Sequence, residues 1–174
     1  MTNNELDEII ENIIDEKNER ALIILASSFV DDLLFFILSK YLIAPIKNEE
    51  NLIKGDNPLS TFSSRIKTVY RLGLIDESFL SILDKIRDIR NKFAHRTNIK
   101  ADKSSLKDKL SHLHKLLKDR NAFKLTQKRY FINDPTPYNE IKITYITVCL
   151  ILKGVYDNIT PIVPNKQLVN STKK

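Results

Sequence analysis

Glycine is nearly missing from this chain, with three in 174 residues. Hairpin-rich β folds place glycine where a turn needs positive φ, so this scarcity favours helices. Neither GxGxxG nor GxxxxGK followed by Ser or Thr occurs, which leaves no glycine-rich phosphate cradle of those kinds. Cysteine appears once, as Cys149 inside an apolar run. A lone thiol forms no intramolecular disulfide and no thiolate metal cluster, and its setting reads as core rather than nucleophile. The N-terminal residues Asn3, Asn4, Glu5, Asp7 and Glu8 are polar and acidic, unlike a secretory signal. A cytoplasmic location is the expectation. The longest apolar stretch, Ala21 to Ile43, carries Ser27, Ser28, Asp31 and Asp32 at its centre. Adjacent carboxylates are costly in lipid, so a buried amphipathic helix is expected there and no membrane span.

Apolar residues make up 42% of the chain, enough to rule out general disorder and to build one core at this length. The formal charge of +6 is unevenly spread. Residues 1–20 hold seven acids against Lys17 and Arg20, whereas residues 85–129 hold fifteen Lys or Arg against four Asp, a net +11. Such a segment attracts nucleic acid or another polyanion, although a solvated helix face has the same composition.

Apolar spacing predicts helices over residues 4–16, 18–43, 58–72, 77–95, 104–119 and 139–158. Pro45 ends the second, Asn57-Pro58 reads as cap and first position of the third, and Gly73 stops it. Asp76 reads as the cap of the fourth, whose core stripe is Phe79, Ile82, Leu83, Ile86, Ile89 and Phe93. In the fifth, Leu106, Leu110, Leu113, Leu116 and Leu117 point inward. Residues 120–138, with Asp134-Pro135-Thr136-Pro137, read as a loop. The sixth is rich in β-branched residues, but its length and the lack of a partner strand favour a buried helix over a strand. The expected fold is all-α: a single-domain bundle of about six helices over residues 1–160, with 161–174 as a mobile tail.

The fourth helix ends in Arg90-Asn91-Lys92-Phe93-Ala94-His95. At about 100° per residue, Arg90 falls within the apolar stripe, while Asn91 and His95 lie together on the other side. A guanidinium directed into a bundle needs an acidic partner, and Asp31 and Asp32 of the second helix are candidates. Breaking such a buried pair costs roughly 3–5 kcal/mol. Asn91 and His95 are four apart, so the amide can orient the imidazole. Arg90 and His95 then point apart unless the helix unwinds near Ala94 or a homodimer brings two copies together. His112 and His114 lie two apart, share no helix face and read as surface residues, so neither a metal site nor a cofactor is expected. In the third helix, Arg65 reads as a partner for an acid of the second helix. The alternative there is an anion site built from Ser60, Thr61 and Arg65 at the helix start.

Three blocks together carry a resemblance: Pro58-Leu59-Ser60-Thr61-Phe62-Ser63-Ser64-Arg65-Ile66, then Tyr70-Arg71-Leu72-Gly73-Leu74-Ile75, then Ile86-Arg87-Asp88-Ile89-Arg90-Asn91-Lys92-Phe93-Ala94-His95. In this order and spacing, over residues 19–96, the chain resembles the mannitol operon repressor family. That resemblance implies an all-helical transcriptional regulator without a helix-turn-helix, acting through a protein partner. The Arg90, Asn91 and His95 pattern also resembles the HEPN superfamily, many of whose members are dimeric, metal-independent ribonucleases. Carried over, His95 assists proton transfer at the RNA 2′-OH, Arg90 stabilises the phosphorane and Asn91 positions both. A third reading makes the motif purely architectural.

Overall fold

A computed structural model describes residues 1–47, 51–95, 103–131 and 136–164, with side chains described throughout except at positions 95 and 103–107. The elements are α1 (Asn3–Asp15), α2 (Glu19–Tyr41), α3 (Phe62–Arg71), α4 (Glu77–His95), α5 (Lys103–Leu117), α6 (Asn121–Tyr130) and α7 (Pro137–Asn158). Among the described residues there is no strand, and the fold is an all-α bundle. Helices α2 and α7 form its centre. Helices α3 and α4 pack on α2, α5 and α6 pack on α7, and α1 touches both central helices.

Local chemistry sets most helix ends. Thr2 and Glu5 form a capping box, with Thr2 N–H donating to Glu5 Oε2 at 2.5 Å and Glu5 N–H to Thr2 Oγ1 at 3.2 Å. Asn18 caps α2, and Thr136 caps α7 ahead of Pro137 at its first turn. Asp76 Oδ1 accepts from Phe79 N–H at 2.7 Å. Gly73, at φ +71°, ends α3. Its N–H bonds Tyr70 O and the next N–H, of Leu74, reaches back to Val69 O, the doubly bonded turn that only a left-handed residue closes without strain.

By length and composition alone α2 could cross a membrane, with a mean hydropathy of 2.2. In the bundle its Leu22, Ile23, Ala26, Val30, Leu33, Leu34, Ile37 and Leu38 are buried against neighbouring helices, which accounts for that apolar character. Helix α7 is buried continuously from Ile141 to Cys149. Thr144 and Thr147 satisfy their hydroxyls on the carbonyls one turn back, at 2.7 Å each. Tyr145 and Ser27 share a buried hydrogen bond between the two central helices, at 3.2 Å. Burial raises the Tyr145 hydroxyl pKa and pushes the Cys149 thiol up to about 12, as suits an inert core thiol.

Three expectations change. Helix α6 lies where residues 120–138 read as loop. Only Phe123 and Thr126 are buried on it, too short a stripe to register as periodicity, and it is stabilised by docking on α7. Helix α3 starts later than Asn57-Pro58: Thr61 caps it, reciprocally with Ser64. Asn57 instead closes the preceding loop by donating to Asn51 O and Lys54 O at 2.7 and 2.8 Å. Leu116 is 40% exposed rather than inward, because Leu113 and Leu117 already fill that seam. In the expected tail, Ile162 N–H donates to Tyr41 O at 2.9 Å, which bonds that residue to the end of α2; residues 165–174 lie outside the described part, as does Asp134-Pro135.

Candidate functional site

The tight turn at Gly73 folds α3 back beside α4, and both pack on α2. The three resembling blocks therefore meet along one seam. Arg65 is its hub. Its Nη1 donates to Asp31 Oδ1 at 2.7 Å, its Nη2 to Ile53 O at 3.1 Å, and its guanidinium lies 5.3 Å over the Phe35 ring. One side chain thus ties α3 to α2 and to the loop before it. The planar fork of arginine suits this, since its donors point in fixed, divergent directions.

A second clamp joins α3 to α4. Arg87 Nη1 donates to Ser63 Oγ at 2.8 Å and sits 3.0 Å from Asp84 Oδ1, and Nη2 reaches Asp88 Oδ1 at 3.1 Å. Sequence reasoning assigned no role to Ser63 or Arg87. The available signal was Arg87 between Asp84, three residues before it, and Asp88, beside it; the link to Ser63 depends on how α3 lies against α4.

Arg90 behaves differently from the expected buried ion pair. Among the described residues no carboxylate lies within ion-pair distance of it; its Nη1 donates to Asn91 Oδ1 at 3.1 Å. Asp31 is engaged by Arg65, which approaches it from α3. Arg90 still lowers the Asp31 pKa through space, but burial outweighs both arginines and raises it above the ordinary value. Asp32 is exposed at the surface and forms no ion pair among the described residues. Its pKa is also raised, first by desolvation and then by the Asp31 charge, with Arg65 opposing. His95 is the last residue of α4, and its side chain lies outside the described residues. The structure therefore brings Arg90 and Asn91 together and joins Asp31 to Arg65.

Arg65 takes the structural role read for it, as partner of an acid of α2, and the groups of the alternative anion site at the start of α3 are engaged elsewhere. Thr61 is engaged in the capping box and Arg65 in the bond to Asp31. Among the described residues no group of three His, Cys, Asp or Glu is arranged to hold a metal. His112 is exposed. His114 corrects the surface reading: it is half-buried, edge-on to Phe123 at 4.9 Å between centroids, with its Nδ1 buried and unpaired. Within the basic segment, Lys115, Lys118, Lys124, Lys128 and Arg129 are exposed on α5, α6 and the turn between them. Arg120 is tied to Ser78 Oγ at 3.0 Å and lies over Phe79.

Set against family models, curated proteins and solved structures, the chain matches none.

Proposed function

We propose that the protein is a helical regulatory module of the mannitol operon repressor type, a transcriptional repressor that works through a protein partner. The observation that carries this reading is an exposed apolar patch where α2 ends. Ile46 and Val163 are 90% and 81% exposed, and Ile43 and Ile162 are 49% and 39% exposed. The Ile162–Tyr41 backbone bond draws their two segments together. Exposed large apolar side chains on segments that meet in this way favour protein contacts. Polar residues within the resembling stretch support the same reading, because Asp31, Ser63, Arg65 and Arg87 hold helices to one another. Under this reading a deletion strain shows altered transcript levels. Wild-type protein and His95→Ala restore them, whereas the double variant Ile46→Ser, Val163→Ser does not. Restoration by the patch variant but not by His95→Ala overturns it.

A second reading is favoured by one observation. Arg90 meets the amide of Asn91 rather than a carboxylate, so its charge stays available to an incoming anion. This is the arrangement that a HEPN-like ribonuclease needs, with His95 as proton-transfer group, a homodimer completing the site and the exposed lysines of α5 and α6 drawing in RNA. Incubating RNA with the wild-type chain and with His95→Ala tests it. Cleavage by the first alone supports the nuclease; equal cleavage by both, or none by either, removes it.

A further inference from the structure

A cavity of about 760 Å³ lies where the starts of α2 and α7 meet α5 and the end of α4. This is within the size range of sites that enclose a small organic ligand. Its walls include Phe93, Leu110, Tyr138 and Ile141. Phe93 and Ile141 are 3% and 8% exposed and belong to the core, so this part of the wall is fixed rather than formed by mobile side chains. Tyr138 is held by its hydroxyl, which donates to Glu16 O at 2.7 Å.

Two further groups on these walls lack protein partners. Arg20 is half-buried and makes no hydrogen bond or ion pair among the described residues. A guanidinium stays charged at every pH relevant to a protein, and partial burial without a counter-charge is unfavourable. Nδ1 of His114 is buried and unpaired, though its ring is well packed on Phe123. A buried polar atom of this kind is ordinarily satisfied. Ser111 is exposed on the same wall. Two carboxylates, Glu19 and Glu140, also line the cavity but are exposed. They face water and repel densely charged anions, while Arg20 attracts a single negative charge.

We propose that this cavity binds a small organic monoanion with a flat aromatic body. Its acid group pairs with Arg20, and its ring lies against Phe93 and Tyr138, with the His114 side chain forming part of the same wall. The inference is independent of the regulatory reading, because the cavity is formed by other residues than the apolar patch and the Arg65 seam.

The test is a fluorescence titration of the full chain with 8-anilinonaphthalene-1-sulfonate, an aromatic monoanion that brightens in apolar surroundings. Saturable binding of one probe per chain is expected. Arg20→Ala should weaken it at least tenfold, with Arg20→Lys between the two. Ser111→Trp, which places bulk on the cavity wall from an exposed position, should abolish it. Ile46→Ser with Val163→Ser should leave it unchanged. Salicylate should displace the probe and adenosine monophosphate, a dianion, should not. Circular dichroism and thermal melting establish that each variant is folded. Equal binding by wild type, Arg20→Ala and Ser111→Trp, or loss of binding in the patch variant, overturns the proposal. Displacement by adenosine monophosphate but not by salicylate overturns the assignment of ligand class.

Discussion

Arg65→Ala should destabilise the protein more than any other substitution among the cations of the three resembling blocks. The side chain makes a charge-assisted bond to Asp31 at 2.7 Å, worth about 1.5–3 kcal/mol, and a bond to Ile53 O at 3.1 Å, worth about 1 kcal/mol. Its stacking over Phe35 adds about 0.5–1 kcal/mol. These contributions overlap. The Arg65 and Asp31 side chains are 12% and 28% exposed, so water compensates Asp31 in part once its partner is gone. A net loss of about 3 kcal/mol follows, below the upper end for a fully buried pair. For a domain of this length that lowers Tm by about 6–12 °C. Urea and thermal unfolding followed by circular dichroism measure it, and a cycle of Arg65→Ala, Asp31→Ala and the double variant should give a coupling of about 2 kcal/mol. Arg90→Ala is the internal control: losing one bond to Asn91 should cost about 1 kcal/mol or less. A loss for Arg65→Ala within about 0.5 kcal/mol of zero, the range of ordinary surface substitutions, refutes the assignment of Arg65 as hub. So does a larger loss for Arg90→Ala.

Three further outcomes are expected. Gly73→Ala meets no atom within 4 Å of the new Cβ but must hold φ +71°, so it should cost about 1–2 kcal/mol through backbone strain alone, read by thermal melting. Ile86→Ala, at a fully buried position, should cost about 2–5 kcal/mol in urea unfolding. For Asp32 the folded state raises the pKa, so the folded protein binds that proton more tightly than the unfolded chain does. The charge then costs stability above the raised pKa, and the cost fades as pH falls through it. Asp32→Asn should therefore melt higher than wild type at neutral pH, with the gap closing toward acid; a lower Tm at neutral pH contradicts the shift.

Much of the helical scaffold was legible because its signals are local. Leu6, Ile10 and Ile13 mark one face of α1 by spacing alone, and Asp76 and Gly73 announce the start of α4 and the end of α3 through backbone groups a few residues away. Helix α6 was illegible for the opposite reason. Phe123 and Thr126 make too small an apolar face to declare a helix, and only α7 gives that face something to cover. The site was half legible. A helical wheel turns Arg90 toward the bundle and offers Asp31 and Asp32 as acids for Arg90 and Arg65, but it contains no information on which acid meets which cation.

The class of the molecule is set by local signals: a chain almost without glycine, with apolar residues recurring at helical spacing and adjacent carboxylates inside its most apolar segment, folds as a helical bundle. Backbone hydrogen bonding and the 3.6-residue period act within one turn, so neighbouring residues suffice to specify them. Helix packing then selects Asp31 as the acid of α2 that Arg65 meets, brings Arg87 to Ser63, leaves Arg90 on Asn91, and sets Arg20 and His114 along one cavity. Long side chains meet partners according to how helices rotate and slide against each other. That geometry is set by packing of the whole core rather than by any single helix.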